Sequence, residues 1–402
     1  MFDEGEKLRR EFGADSVFDF SLGNPDLEPP RLFAETLERF ARDPATGTHG
    51  YMPNAGYPAV RASVAARASR DQELEIPASN VVMSVGAAGA MNVILRTLLD
   101  PGDEVIVISP WFAEYWFYIQ NYGGRFVEVP SGPGFHLDLE ALGQALSPRT
   151  AAIIINSPNN PTGVVYTRAE LSRLAALLSS HGRSCGRWPC LISDEPYRAL
   201  VYGGIEVPSV MALYPETIVA TSWSKSLSLP GERIGYLAVS PKAENAKEVV
   251  DGLIMSTRIL GFVNAPALLQ RVVAELLEES SDVTSYERRG RLLASGLRAA
   301  GYEFNDPEGA FYLFVRVPRA GGGFLPRDPT EAPNDVPFAP NSALGDDVAF
   351  AMHLKKFHIL AVPGTGFGSP GWFRLSFCVP ETTIKNSLPI FARAIEEWGS
   401  EV

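Results

Sequence analysis

One stretch decides the fold of this chain. It opens with the run "AAIIINSP" (151–158), continues with "TRAELSRLAALLSSH" (167–181) and closes with "CLISDE" (190–195). The outer runs are short and largely apolar, which is typical of strands that are buried on both faces. The middle run has the period of a helix, and Thr167 with Glu170 three residues later forms a capping box at its start. The stretch therefore predicts a strand–helix–strand unit.

The same alternation extends on both sides of this unit, over about residues 80 to 240. Further strand-like runs are "VVMSVG" (81–86), "EVIVISP" (104–110), "RFVEVP" (125–130), "TIVATSW" (217–223) and "IGYLAVS" (234–240). Helical signals lie in "AAGAMNVILRTLL" (87–99) and "AENAKEVVDGLIMS" (243–256). Strands that alternate with helices predict an α/β fold with a mostly parallel, doubly wound sheet that is flanked by helices.

A second pattern follows the first and predicts a smaller α+β domain. A helical stretch covers about residues 263 to 300. After it come strand "FYLFVRVP" (311–318), helix "DDVAFAMHLKKF" (346–357), strands "ILAVPG" (359–364) and "WFRLSFC" (372–378), and helix "TIKNSLPIFARAIEEWG" (383–399). Residues 319–345 are dense in glycine and proline, so we expect a long loop there.

Length and composition limit the classes of function. A chain of 402 residues is long enough for two domains. Its net charge of −12 argues against a nucleic-acid surface. No apolar run is long enough to cross a membrane, and the start "MFDEGEKLRREFG" lacks the apolar core of a signal peptide. Three cysteines (Cys185, Cys190 and Cys378) and five histidines favour a reducing, cytoplasmic setting and no metal site.

Residues with chemical potential follow the predicted strands at the point where each strand ends. Ligands of doubly wound sheets bind at these carboxyl ends. Gly86, Ala87 and Ala88 open a helix where backbone N–H groups can approach a phosphate, although tight packing also explains small residues there. Trp111 and Phe112 follow the next run and offer either a ring platform or core side chains.

Three more strand ends carry polar groups. Asn160 lies in "SPNNPTG", Asp194 and Tyr197 lie in "DEPYRAL", and Lys225 and Arg233 lie in "TSWSKSLSLPGERIGY" (221–236). Taken alone, each has a plain explanation: a turn, a helix cap or a solvated lysine. Their joint occurrence in this order, all at the carboxyl ends of strands, is difficult to obtain from packing.

These motifs identify a resemblance. The chain resembles a fold-type I, class I/II aminotransferase that depends on pyridoxal phosphate (PLP), of the aspartate aminotransferase-like kind. The matching segments, from residue 20 to residue 377, are "FSLGNPD", "YMPNAGYPAVR", "SVGAAGA", "SPWFAEY", "NSPNNPTG", "SDEPY", "SWSKSLSLPGERIGY", "PEGAFYLF" and "FRLSF". The resemblance implies the PLP-dependent transferase fold. Its large PLP-binding domain would span residues 45–285, and its small domain would be built from both termini, 1–44 and 286–402.

The resemblance also implies how the cofactor is held. Lys225 would form the Schiff base (the internal aldimine) and later move the substrate proton, which needs a neutral amine. Arg233, Ser222 and the backbone of Gly86, Ala87 and Ala88 would bind the phosphate, with Ser224 less firmly implied. The alanines are a departure, since many relatives have a hydroxyl or lysine side chain there.

Other residues would tune the ring and bind the substrate. Asp194 would pair with the pyridine nitrogen, and Asn160 and Tyr197 would bond the 3′-oxygen. Phe112 would stack on the ring, with Trp111 as the second candidate. The α-carboxylate of the substrate would meet Arg374, Gly23 and Asn160. Tyr51 would reach the phosphate of a neighbouring subunit, which implies a homodimer.

The implied reaction moves an amino group between an L-amino acid and a 2-oxo acid in ping-pong half-reactions. A PLP-dependent C–S β-lyase, or another PLP enzyme on the same scaffold, is the alternative. A regulatory PLP-binding module would need a fused DNA-binding domain, and a dehydrogenase would need a "GxGxxG" after its first strand. The amino donor stays open between a dicarboxylate, through Arg258, and a neutral or aromatic amino acid. Arg258 could instead cap a helix, and the 319–345 loop could border the site.

Overall fold

A computed structural model gives the structure of the protein and describes residues 2–43, 49–318 and 345–400. Within these ranges the strands are β1 (Phe18–Asp19), β2 (Val81–Ser84), β3 (Glu104–Ser109), β4 (Arg125–Pro130), β5 (Thr150–Asn156), β6 (Cys190–Asp194), β7 (Thr217–Ser222), β8 (Gly235–Val239), β9 (Tyr312–Arg316), β10 (Ile359–Leu360), β11 (Val362–Pro363) and β12 (Trp372–Ser376). The long loop predicted over 319–345 lies, except for its last residue, outside the described residues.

The helices of the same ranges are α1 (Phe2–Phe12), α2 (Arg31–Ala41), α3 (Pro58–Asp71), α4 (Gly86–Leu98), α5 (Glu114–Gln120), α6 (Leu139–Ala145), α7 (Arg168–Cys185), α8 (Trp223–Ser226), α9 (Ala246–Ile259), α10 (Ala267–Glu275), α11 (Val283–Ala299), α12 (Asp346–Lys356) and α13 (Glu381–Ser400). Among them, no helix is both long and apolar enough to cross a membrane.

The seven strand runs predicted for the first half of the chain form one sheet. Its order is β2-β8-β7-β6-β5-β3-β4. Strand β8 is antiparallel to β2 and β7, while β3, β4, β5, β6 and β7 pair in parallel. The predicted mostly parallel α/β sheet is therefore confirmed. Burial on both faces was wrong for β4, an edge strand on which Arg125 and Pro130 are exposed, because a charged side chain such as Arg125 is rarely buried.

Helices cover both faces of this sheet. Helices α4 and α9 contribute Val93 and Leu253 to a core that includes Val105 of β3. On the opposite face, α7 places Leu174 against a core that includes Ile153 of β5. Burying a leucine side chain of this kind stabilises the fold by about 1.5–3 kcal/mol. The capping box at Thr167 and Glu170 is present at the start of α7, as predicted.

The second unit is built from both ends of the chain. Strands β11, β12 and β9 form an antiparallel sheet, and β1 from the N-terminal segment pairs with β10 from the C-terminal segment. Helices α11, α12 and α13 pack over a core with Tyr286, Phe350 and Phe391. The small α+β unit from both termini agrees with the prediction. The boundaries at 45 and 285 stay a prediction.

The helical stretch predicted over 263–300 was wrong as one unit. Helix α10 ends at Glu275 and α11 begins at Val283, where the side chain of Asp282 caps the backbone N–H of Ser285. Short polar side chains favour such caps over a helix interior, which explains the break. In the break, the N–H of Ser281 donates to the carbonyl of Ser226 at 2.6 Å. The connection therefore supports helix α8 at the end of β7.

Candidate active site

A cavity of about 270 Å³ lies at the carboxyl ends of the central strands. Predicted site residues that line it are Gly23, Ala87, Ala88, Phe112, Asn160, Asp194, Tyr197, Ser222, Ser224, Lys225, Arg233 and Arg374. Side chains that the sequence reasoning did not single out also line it: Met91, Tyr115, Tyr118, Asn156, Pro196, Pro230 and Tyr312. Residues that are hundreds of positions apart thus meet at one point.

Lys225 follows β7 directly and extends into this cavity from α8. Its Nζ donates a 2.6 Å hydrogen bond to the carbonyl oxygen of Gly23 and lies 5.5 Å from the ring centroid of Phe311. Burial, together with the positive charges of Arg374 and Arg233, lowers the pKa of Lys225 to about 8. A substantial fraction of this amine is therefore neutral near pH 8.

Asp194 ends β6 and presents its carboxylate to the same cavity. One oxygen, Oδ2, accepts a 2.5 Å hydrogen bond from the hydroxyl of Tyr115. The other, Oδ1, is buried and has no hydrogen-bond partner among the described residues. Burial raises the pKa of Asp194 to about 7, and the charge of Glu195 acts in the same direction. A buried acceptor without a donor is costly, so this oxygen has the character of a binding group.

The cavity is also lined by Arg233, which lies beside the start of α4. Gly86 begins α4 with φ +68°, and a Cβ added there would lie 2.7 Å from Nη2 of Arg233. The guanidinium therefore approaches the helix N-terminus closely, and its Nη1 donates to the carbonyl of Pro230 at 2.9 Å. Ser222 and Ser224 bring their hydroxyls together at 3.0 Å. Among the described residues no carboxylate forms an ion pair with Arg233, so its charge is available to an anion.

Arg374 lies on β12 and is buried, with only 8% of its surface exposed. Its Nη1 donates to Oδ1 of Asn160 at 2.9 Å, and its Nη2 donates to the carbonyl of Ser21 at 2.8 Å. The guanidinium lies 4.6 Å from the ring centroid of Tyr312. Its Nε has no partner among the residues described. Full solvent exposure is therefore excluded, and one N–H of the buried guanidinium is left without a partner.

Tyrosine side chains line the cavity and contact one another and their neighbours. The hydroxyls of Tyr197 and Tyr312 are 2.8 Å apart. Gly23 lies so close to Tyr312 that an added Cβ would be 2.0 Å from its hydroxyl oxygen. Tyr115 packs edge-on against Phe112, with ring centroids 5.5 Å apart.

Two aromatic neighbours in sequence have different places. Phe112 lines the cavity. Trp111 is 1% exposed and packs edge-on against Phe126 with ring centroids 5.0 Å apart. No sequence signal singles out Tyr115, because its hydrogen-bond partner, Asp194, lies 79 positions away in the chain.

Two predicted residues lie elsewhere on this chain. Tyr51 is 92% exposed. Arg258 is exposed in the last turn of α9, beside Met255 (59% exposed) and Ile259 (56% exposed). Neither Tyr51 nor Arg258 lines the cavity of its own chain. Both side chains are exposed to solvent on this chain.

Comparison with known proteins gives this geometry a family. The model of the family "Aminotransferase class I and II" matches residues 15–389. A probable aspartate/prephenate aminotransferase of Thermus aquaticus is 35% identical over 397 residues, which cover 97% of this chain and 94% of that protein. An aspartate aminotransferase of Geobacillus stearothermophilus is 30% identical over 387 residues, which cover 94% of this chain and 91% of that protein.

Solved structures agree. An amino transferase from Eubacterium rectale superposes with a TM-score of 0.90 at 35% identity, over 99% of this chain and 94% of that one. Aspartate aminotransferase from Thermus thermophilus with maleate has a TM-score of 0.81 at 31% identity, and the match covers 98% of this chain and 95% of that one. The resemblance and the aminotransferase activity predicted from the motifs are confirmed, and the lyase alternative is not favoured. The chain belongs to the class I and II aminotransferase family, and the protein is an aminotransferase.

Proposed function

We propose that this aminotransferase binds PLP in the cavity between Lys225 and Arg374 and exchanges amino groups between an L-amino acid and a 2-oxo acid. The observation that carries the proposal is the unpartnered Oδ1 of Asp194, buried in the same cavity as a lysine whose pKa is lowered to about 8. The protonated ring nitrogen of PLP would donate the hydrogen bond that Asp194 Oδ1 lacks. The aldehyde of PLP reacts with a neutral amine, and the lowered pKa of Lys225 favours that form.

The residues present fit the other parts of the cofactor. Arg233, the start of α4 and the hydroxyls of Ser222 and Ser224 would hold its phosphate. Phe112 would pack on the ring, and Asn160 and Tyr197 would donate to the ring oxygen. When bound, the cofactor supplies an electron-accepting ring that stabilises negative charge at the substrate α-carbon.

The chain itself supplies binding and proton transfer. Arg374 would bind the substrate α-carboxylate through its guanidinium fork, with Asn160 and the Gly23 backbone beside it. Lys225 Nζ would then carry the proton that leaves the α-carbon, since it is the basic group with a lowered pKa in the cavity.

Spectroscopy of the purified protein with and without PLP tests this proposal. We expect the protein to absorb visible light when PLP is bound. An amino donor should remove this absorbance, and only a 2-oxo acid should restore it. Lys225→Ala should abolish turnover and keep some PLP binding through Arg233 and Asp194. Wild-type protein that does not bind PLP would overturn the proposal. Repeated turnover of the amino donor, with more than one equivalent of product per site and no 2-oxo acid present, would indicate a lyase.

The proposed donor is aspartate, a dicarboxylate. Its support is the names of the relatives, which include aspartate and aspartate/prephenate aminotransferases. The cations that line the described cavity are Lys225, Arg233 and Arg374, and each has a role above. A second substrate carboxylate would need another cation, and we assign it to Arg258 of a neighbouring subunit.

Single-turnover kinetics with aspartate, alanine and tyrosine test this assignment. Arg258→Ala should lower the preference for aspartate over alanine about tenfold, the effect of one exposed charge pair plus its hydrogen bonds. An unchanged preference would remove Arg258 from the substrate site and leave a neutral or aromatic donor.

We also propose that the active unit is a cytoplasmic homodimer in which Tyr51 serves the site of the partner. Its 92% exposure and the exposed Met255 and Ile259 support this, and the three cysteines are free thiols, as a reducing compartment favours. Sedimentation at assay concentration tests it. Full activity in a demonstrated monomer would contradict it.

A further inference from the structure

We infer that Tyr115 is a positioning residue for Asp194: its hydroxyl holds one carboxylate oxygen so that the other faces the cavity as an ionised acceptor. This inference rests on the proposed PLP binding and adds a residue to it. It begins from one contact, the 2.5 Å hydrogen bond from Tyr115 Oη to Asp194 Oδ2. Because Oδ2 is occupied, Oδ1 is left to meet a ligand.

Both partners of this contact are rigidly placed. Tyr115 is 2% exposed and Asp194 is 6% exposed, so water competes little for the hydrogen bond. The Asn156 amide donates to the Asp194 backbone carbonyl at 2.8 Å, which fixes the strand end. Tyr115 also packs edge-on against Phe112. One side chain therefore supports both the carboxylate and the predicted ring platform.

The hydrogen bond favours the ionised form of Asp194. The pKa of Tyr115 is raised well above its ordinary value, first by burial and then by the charge of Asp194. The phenol therefore stays protonated and donates. A donor stabilises the carboxylate form, so it opposes the effect of burial on Asp194. Without it, the carboxyl would hold its proton to higher pH.

Other charged or titratable groups also face Asp194. From the elements packed around it these are Tyr118 on α5, Glu195 and Tyr197 after β6, Lys225 on α8 and Arg233 beyond it. Glu195 raises the pKa of Asp194, and it is itself bonded to Gln72 and Arg198. None of these groups is changed when only the Tyr115 hydroxyl is removed. A comparison with Tyr115→Phe therefore isolates the hydroxyl.

The inference predicts a pH-dependent change in PLP affinity. A ring nitrogen that arrives protonated needs an ionised Asp194, so a neutral carboxyl must first lose its proton. Removing a hydrogen bond to a charged group raises a carboxyl pKa by about one unit or more. Tyr115→Phe should therefore bind PLP about tenfold more weakly than wild type at pH 6, with the difference shrinking towards pH 9.

The experiment measures the dissociation constant of PLP for the full-length apoprotein from pH 6 to pH 9. Each value is divided by that of wild type at the same pH, so that titrations of Lys225 and of PLP cancel. Tyr122→Phe is the matched control, because it removes a phenol that donates to Asn92 at 3.0 Å outside the cavity. Its ratio should not vary with pH.

The Asp194→Asn background completes the test. In this background, the PLP dissociation constant with Tyr115→Phe divided by that without it should not vary with pH. The reason is that residue 194, through which Tyr115 acts, no longer titrates. A ratio that varies with pH in this background, or a flat loss in the wild-type background, would overturn the inference and leave Tyr115 a packing residue. Wild-type protein that does not bind PLP would instead refute the proposed function.

Discussion

Lys225 Nζ and the carbonyl oxygen of Gly23 are 2.6 Å apart, although 202 positions separate the two residues in the chain. Lys225 lies on α8, which follows strand β7 of the large sheet, and Gly23 follows β1 of the second unit. The carbonyl of Asn24 accepts from Cys378 Sγ at 3.2 Å, which ties the Gly23 segment to the end of β12. The contact therefore places the Lys225 amine beside Gly23, one of the predicted substrate-binding residues.

The first prediction concerns the pH at which Lys225 becomes reactive. Its pKa is lowered to about 8 by burial, and only the neutral amine attacks an aldehyde. The rate at which apoprotein captures PLP should rise with pH up to about 8 and level off above it. Stopped-flow absorbance measures this. A rate that still rises between pH 9 and pH 10, as for an ordinary lysine, would refute a lowered pKa.

The second prediction concerns Gly86. Its φ of +68° strains any other residue, and an added Cβ would lie 2.7 Å from Arg233 Nη2. Gly86→Ala should displace the guanidinium and weaken PLP binding at least about tenfold, the worth of one charge-assisted contact. Gly231→Ala is the control, because a Cβ there meets no atom within 4 Å. Equal affinities of the two variants would contradict the phosphate site.

The third prediction concerns the stability of the apoprotein. The folded pKa of Asp194 is raised from 3.8 to about 7. A raised carboxyl pKa means that the contribution of Asp194 to stability is present below about pH 4 and is lost as pH rises to about 7. Asp194→Asn removes this loss. We expect it to increase the free energy of unfolding of the apoprotein by about 1–4 kcal/mol at pH 8, and by less at pH 5.

Urea unfolding of the apoprotein at both pH values measures this effect. Asp306→Asn is the control, because that carboxylate is exposed and pairs with Arg298 on the surface. A stability difference between Asp194→Asn and wild type that is the same at pH 5 and pH 8 would show that Asp194 does not titrate in this window. The same variant should bind PLP more weakly than wild type, which would make Asp194 a residue kept for function at a cost in stability.

The fourth prediction concerns substrate binding. Arg374→Lys keeps a positive charge but loses the planar fork that bonds Asn160 and Ser21. We expect KM for the amino donor to rise about a hundredfold while the PLP dissociation constant stays within about threefold of wild type. Arg316→Lys is a control on the neighbouring strand, where Arg316 pairs with Glu303 near the surface. A larger loss of PLP affinity than of substrate affinity would assign Arg374 to the cofactor.

Local sequence patterns predicted the central sheet well. Strands such as Thr150–Asn156 are apolar enough to be recognised alone, and helix α7 carries its own capping box. The pattern failed where the neighbour decides the outcome. Strand β4 is apolar in part but lies at an edge. The leucines and glutamates of residues 276–279 continue the helical pattern and do not show that Asp282 caps a new helix. These outcomes depend on pairing and capping rather than on composition.

The candidate site shows the same division. Lys225 and Asp194 could be predicted because each lies in a dense motif at a strand end. Tyr115 and Tyr312 could not, because their partners lie 79 and 115 positions away in the chain. An aromatic residue in a helix or strand reads as core until the fold shows which polar atom its hydroxyl meets.

The most direct test of the account is the identity of the lysine that binds the cofactor. Purified protein is incubated with PLP, reduced with borohydride, digested and analysed by mass spectrometry. We expect one modified peptide, labelled at Lys225, and no such peptide from Lys225→Ala. A label on a different lysine, or wild-type protein that carries none, would contradict it.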